Sequence, residues 1–214
     1  MRRTLIAVLG ALALYAAVAT AQQHLRLFRP ADLGLLEGPD RDAWQRPDQI
    51  MDALRIGDGM AVADLGAGSG WFTIRLARRV GPNGVVYAED IQRQMIDAIS
   101  RRKTRENLAN VQTVLGQPND PKLPGRVDAV LIVDAYHEMP QPVVLLKNVA
   151  RYLKPGGRIG IVEFTSEGGG PGPAMEDRVE PERVIRDAEA AGLVLESRES
   201  FLPYQYMLIF VPRS

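Results

Sequence analysis

The 214-residue chain has no cysteine. That absence excludes disulfides, zinc–thiolate sites, iron–sulfur ligation and a thiol nucleophile, so any chemistry here uses oxygen, nitrogen or a bound cofactor. The chain also lacks an excess of either charge. Its 26 Lys plus Arg balance 26 Asp plus Glu, and nothing in the composition favours binding to nucleic-acid phosphates. Histidine is scarce, with only His24 and His137, and aromatics make up 6%. What remains is an ordinary globular composition, 46% hydrophobic and 24% charged, long enough for one domain with a sizeable core.

Residues 1–21 form a separate object. Arg2 and Arg3 precede an uncharged apolar run from Leu5 to Ala21, which closes in Ala19-Thr20-Ala21 before polar Gln22 and Gln23. This is the layout of a secretory signal peptide with a small-x-small cleavage site. The alternative is a signal anchor, because no charged residue occurs between Thr4 and Leu25 and about 20 apolar residues span a bilayer. The basic start directs the remainder outward, so the expected location is exported (periplasmic) or membrane-anchored, with residues 5–21 as a possible tether, and a domain held on the cytoplasmic face by a signal anchor stays open as the alternative. Residues 22–40 read as a linker and 41–214 as the functional domain.

From residue 40 onward, short β-branched runs alternate with helical periods, which predicts a mostly parallel sheet with helices on both faces. A helix follows Pro47 and stops at Gly57-Asp58-Gly59. Strands are expected at Met60 to Leu65, Val85 to Glu89, Val111 to Leu115, Val127 to Val133 and Arg158 to Phe164. Helices carry Ile74, Ala77 and Val80, then Ile91, Met95 and Ile99, then Leu146, Val149, Ala150 and Leu153, the last stopping at Lys154-Pro155-Gly156-Gly157. Residues 166–175 read as a Gly/Pro loop, followed by a helix from Glu182 to Ala191. Two closing runs, Leu193 to Ser200 and Tyr206 to Val211, are too close for a helical crossover and so pair antiparallel.

The informative stretch is Asp64-Leu65-Gly66-Ala67-Gly68-Ser69-Gly70, a strand ending in an acid and then three glycines at alternate positions before a helix. Glycines let a ligand approach the backbone and permit the sharp turn, at the strand end where open α/β sheets bind ligands. The dinucleotide fingerprint would need a glycine where Trp71 stands, and no Gly-Lys-Ser/Thr follows for a Walker loop. An acid two residues before the first glycine suits a cationic aminoacyl group better than a pyrophosphate.

These residues, with Tyr87-Ala88-Glu89-Asp90-Ile91, Asp134-Ala135-Tyr136-His137-Glu138 and Leu153-Lys154-Pro155-Gly156-Gly157-Arg158, resemble the class I S-adenosylmethionine-dependent methyltransferases, and most of all their bacterial small-molecule type. The resemblance runs from about residue 43 to the end. It implies a Rossmann-like α/β three-layer sandwich around a mostly parallel seven-stranded sheet with an antiparallel C-terminal strand. It implies S-adenosylmethionine as cofactor, with Gly66, Ala67, Gly68 and Gly70 against its methionine and ribose, Asp64 near the amino group, and Asp134 among the cofactor contacts. Asp90 then accepts from the ribose hydroxyls with Ile91 against adenine, while a one-residue slip would give that role to Glu89. The usual adenine-contacting acid is missing after the third strand, where Gln117 stands.

Activity is expected to be methyl transfer to a small-molecule acceptor at O, N or C by in-line attack, with His137 and Glu138 facing the methyl as candidate general bases, or with His137 as a structural histidine. No metal is expected. Asp134, Glu138 and Glu163 lie at or just past strand ends, but the pattern of the metal-using relatives is not recognisable. No nucleic acid is expected either, and Arg101-Arg102-Lys103 reads as a solvated helix face. Trp44 and the loop Gly168 to Gly172 are candidates for a substrate cover, with Trp44 otherwise a core anchor. Export sits uneasily with a cytoplasmic cofactor, which keeps a second class open, an exported non-catalytic binding protein with a cofactor-like pocket. A nicotinamide oxidoreductase has the wrong glycine spacing. If the leader is cleaved, intact-mass spectrometry of the fractionated protein will find a mature chain starting at Gln22, whereas full-length protein in the membrane fraction would mean an anchor.

Overall fold

The computed structural model describes residues 27–213, so the leader lies outside the described residues. Seven strands, β1 (Ala61–Leu65), β2 (Val85–Asp90), β3 (Val111–Leu115), β4 (Val127–Val133), β5 (Leu153–Phe164), β6 (Leu193–Glu199) and β7 (Gln205–Pro212), form one sheet in the order β3-β2-β1-β4-β5-β7-β6. β1 to β5 pair in parallel, and β7 runs antiparallel to both β5 and β6. The Rossmann-like α/β sandwich with an antiparallel C-terminal strand is thus the observed fold.

Among the described residues six α-helices flank it: α1 (Arg41–Gln45), α2 (Pro47–Ala53), α3 (Trp71–Val80), α4 (Arg93–Arg105), α5 (Pro142–Tyr152) and α6 (Pro181–Ala190). Proline opens α2, α5 and α6, where the missing N–H has no intrahelical partner to lose. Two apolar layers enclose the sheet. Leu146, Val149, Val184 and Ala188 of α5 and α6 pack on one face, and Ile50, Met51, Phe72, Leu76 and Ile99 of α2, α3 and α4 on the other. Among the described residues no helix is long and apolar enough to cross a membrane.

Three boundaries differ from the sequence expectation. The fifth helix ends at Tyr152, because Leu153 already pairs with Val127, and Lys154 to Gly157 form an irregularity inside β5 before Arg158 pairs with Ala129. Asp128 fastens this bulge by accepting from Lys154 Nζ at 2.7 Å and from the Ala61 amide at 2.8 Å. Ile91 stands outside α4, just past the end of β2. Within the expected linker, Pro30–Glu37 is a 3-10 helix, tied down by Arg102, which donates to Glu37 Oε1 at 2.6 Å and to the Ser69 carbonyl at 3.3 Å. Arg102 is therefore a half-buried strap anchor rather than part of a solvated face.

Ile161 on β5 has no exposed surface. Ile161→Ala should cost about 2–5 kcal/mol through lost burial and the cavity left behind, read as a lower urea midpoint at unchanged slope.

Candidate active site

Parallel strands deliver their carboxyl ends to one edge of the sheet, and three acids collect there. In β2 the side-chain alternation puts Asp90 with Val86 and Ala88 on the α3 face, and Glu89 on the opposite face. Asp90 Oδ2 accepts from the Gly68 amide at 3.1 Å and Oδ1 from the Gln92 amide at 2.9 Å. Glu89 reaches the Gly66 amide at 3.4 Å and packs so tightly on Gly116 that a Cβ there would lie 1.8 Å from its Oε1. Asp64 accepts from Thr73 Oγ1 of α3 at 2.6 Å. Burial lifts all three carboxyls, Asp64 to about 6 with Thr73 opposing, and Glu89 well above its ordinary range with Asp90 adding repulsion.

The glycine loop crosses this edge with Gly66, Gly68 and Gly70 at φ of 69°, 56° and 78°, a region that side chains disfavour. A Cβ on Gly66 would also stand 2.6 Å from Ala135. Gly70 does not face the cavity; it caps α3. The other proposed cofactor contacts, Asp64, Gly66, Ala67, Gly68, Glu89, Asp90, Ile91, Gln117 and Asp134, all line one cavity, together with Glu138. Leu27, Phe28 and Leu36 form part of its wall, and its free volume is about 120 Å³. Ser69 Oγ in its wall is buried without a hydrogen-bond partner, an orphan that a ligand would satisfy.

A second cavity of about 550 Å³ adjoins the first and shares Phe28, Leu36, Arg41, Asp134 and Glu138 with it. His137 belongs to this one. Its Nδ1 lies 3.0 Å from Oε2 of Glu163, a fully buried carboxylate that also accepts from the Tyr136 amide at 2.7 Å. Its Nε2 lies 3.9 Å from Glu138 Oε1. Burial alone would lower the His137 pKa, but the Glu163 bond and charge, with Glu138 and Asp134, raise it to about 9. The ring is therefore charged at neutral pH and carries an N–H on each nitrogen, which does not suit the general base expected from sequence.

Asp134 sits at φ 52° just after β4, raised by burial and by Glu163. Its carboxylate accepts from Gln205 and faces Arg41; neither partner was suggested by the sequence pattern. Glu163 and Asp134 are thus taken up by protein partners. Among the described residues no cluster of three or more acids or histidines is arranged to hold a metal.

Trp44 lies 5.8 Å from Phe164 and 6.5 Å from Tyr204, half-buried on the second cavity. Pro171 to Pro173 of the Gly-rich loop form another part of that wall. The loop is pinned by Arg178, which donates to the carbonyls of Thr165, Gly169 and Pro173 at 2.8, 3.1 and 3.1 Å.

Residues 62–157 match the family model for a methyltransferase domain. Those residues are a methyltransferase domain, and the chain is similar to the class I S-adenosylmethionine-dependent methyltransferases. It is 29% identical over 117 residues to a demethylmenaquinone methyltransferase of Geobacillus, covering 54% of this chain and 50% of that one. It is 35% identical over 126 residues to the ubiquinone/menaquinone biosynthesis C-methyltransferase of Pasteurella multocida, covering 57% and 46%. The chain spans about half the length of these curated relatives. A crystal structure of a SAM-dependent methyltransferase from Aquifex aeolicus superposes with a TM-score of 0.82 at 26% identity, covering 86% of this chain and 98% of that one. The left-handed glycines, the unpartnered Ser69 hydroxyl and the acids at the strand ends fit the family's cofactor.

The His137–Glu163 pair stabilises the fold fully below the unfolded histidine pKa of about 6.5, and this stability is lost as pH rises through about 9. Thermal melts from pH 6 to 10 should show wild type losing on the order of 3 kcal/mol relative to His137→Gln across that window. Parallel curves would refute the pairing.

Proposed function

We propose that this chain transfers a methyl group from S-adenosylmethionine to an oxygen or carbon of an apolar, hydroxylated small molecule held in the second cavity. The observation that carries this reading is the junction of the two cavities at Phe28, Arg41, Asp134 and Glu138, with the charged His137 on the acceptor side. The cofactor supplies an activated methyl on a sulfonium. The chain's own residues then have to align two ligands and manage one proton.

On the donor side Asp90 is placed for a pair of ribose hydroxyls, since a carboxylate offers two acceptor oxygens and the Gly68 amide it now holds is a replaceable partner. Glu89 is on the wrong face, spent on Gly66 and packed against Gly116. Ile91 and Gln117 flank the base end. On the acceptor side the body of the ligand lies among Leu36, Trp44, Phe164 and Pro171, which favours an apolar or aromatic ring. His137 Nε2 donates to an acceptor oxygen and stabilises its ionised form, with Glu163 holding the ring through Nδ1. Glu138, 3.9 Å from that nitrogen, is the nearer candidate to take a proton. The quinone-ring substrates named for two relatives are of this chemical type.

Calorimetric titration of the purified protein should give micromolar binding of S-adenosylmethionine and S-adenosylhomocysteine, with NAD as the negative control. Asp90→Ala should weaken both by about 10- to 100-fold, the worth of hydrogen bonds to a charged group. Labelled methyl should then pass to hydroxylated naphthoquinols or simpler phenols. A folded sample that binds neither sulfur compound would sink this reading, and binding without transfer to any acceptor would favour an exported binding protein.

A further inference from the structure

The basic run on α4 takes no part in the two cavities described above. Arg101, Arg102 and Arg105 line a third cavity, of about 240 Å³, against Gly34 and Glu37 of the 3-10 helix and Ser69 of the glycine loop. Lys103, their neighbour in sequence, turns the other way and donates to the Val111 carbonyl at 2.7 Å. The run therefore divides, with its ammonium spent on the sheet and its guanidiniums gathered on the strap side. Basic residues near the end of a helix offset its dipole, which accounts for positive charge on this stretch but not for three guanidiniums around one hollow.

Those three cations meet a single carboxylate. Arg102 Nη1 donates to Glu37 Oε1 at 2.6 Å and to the Ser69 carbonyl at 3.3 Å, while its Nε is shut away from solvent with no acceptor. Arg101 and Arg105 are exposed, stand four positions apart on the helix, and form no ion pair with any described residue. Like charges at that spacing repel, and the chain supplies no second anion to separate them. A planar guanidinium fork matches two oxygens of a phosphate, and a phosphate has oxygens enough to serve two forks at once, whereas a carboxylate has only two oxygens in all.

We propose that this cavity is a binding site for a phosphate group, held between Arg101 and Arg105 with Arg102 behind them. Glu37 is a competing internal anion, because it already neutralises part of the same positive charge through Arg102. Ser69 is common to this cavity and the first one, so the two ligands share a wall and not a space. A site for one phosphate needs no basic excess in the chain as a whole, and is compatible with its net charge of zero. Nothing in this site depends on the methyl-donor reading.

The test is a titration of the full chain with inorganic phosphate at constant ionic strength, followed by phosphorus NMR and calorimetry, with acetate as the carboxylate control. Wild type should bind phosphate in preference to acetate. Arg101→Gln and Arg105→Gln should each weaken phosphate by about 10-fold and keep S-adenosylhomocysteine binding at the wild-type value. Glu37→Gln removes the competing carboxylate and should tighten phosphate by about two- to fivefold. Vesicles separate two sources of the group. A gain in binding to phosphatidylglycerol over phosphatidylcholine vesicles that the arginine variants lose marks a lipid headgroup, and phosphate binding without that gain marks a soluble phosphate compound. The site is overturned by a wild type that binds no phosphate or binds acetate as well, by arginine variants that bind phosphate as wild type does, by weaker binding in Glu37→Gln, or by release of phosphate when S-adenosylhomocysteine saturates the chain. A folded wild type that binds phosphate but not S-adenosylhomocysteine would leave this site standing and overturn the donor reading instead.

Discussion

Asp134 places a carboxylate at the carboxyl end of the central strand, largely out of water, and the site is organised by what that charge requires. An unmatched buried charge is worth several kcal/mol against folding, so its partners must arrive with the fold. They come from far along the chain, Gln205 from the start of β7 and Arg41 with Gln45 from α1. One strand over, Glu163 is fully buried and makes the same demand, met by His137 and the amides of Tyr136 and His137. The loop after β4 is therefore clamped between two anions. That clamp sets His137 and Glu138 on the wall between the cavities.

Much of this was legible beforehand because it is local. β-branched runs, proline at helix starts and the alternate glycines after Asp64 each act over a few residues, and they located five parallel strands, the loop and the end of the sheet that carries the site. The choice between Asp90 and Glu89 was half legible. Alternation separates the two faces of β2, but which face meets the glycine loop is fixed only by pairing with β1, where Leu65 stands opposite Glu89.

The remainder depended on contacts that spacing cannot express. Arg41 and Gln205 sit 164 positions apart, and a polar residue on a five-residue helix reads as surface until its burial is known. The end of α5 was misplaced for a related reason. Proline and glycine mark where a helix cannot continue, yet Leu153 leaves the helix earlier to pair with Val127, and the Lys154–Gly157 segment is accommodated as a bulge in the strand. The strap at residues 27–38 was invisible as such, since its hold on the domain runs through single long-range bonds such as the Phe28 amide to Glu138 at 3.1 Å.

A net charge of zero conceals a strongly one-sided field. Surface arginines such as Arg75 and Arg79 balance surface acids, pairing with Asp42, Asp48 and Asp52 on exposed helix faces where such pairs contribute little. The first cavity keeps Asp64, Glu89, Asp90, Asp134 and Glu138 against the single guanidinium of Arg41. Burial pushes all five carboxyls upward, so ionising them together in the empty site is unfavourable. A ligand bearing positive charge favours the ionised forms, and its binding is thermodynamically linked to proton release. The acids that make the empty cavity costly to ionise thus make a cation its preferred occupant, and the whole-chain charge balance gives no sign of it.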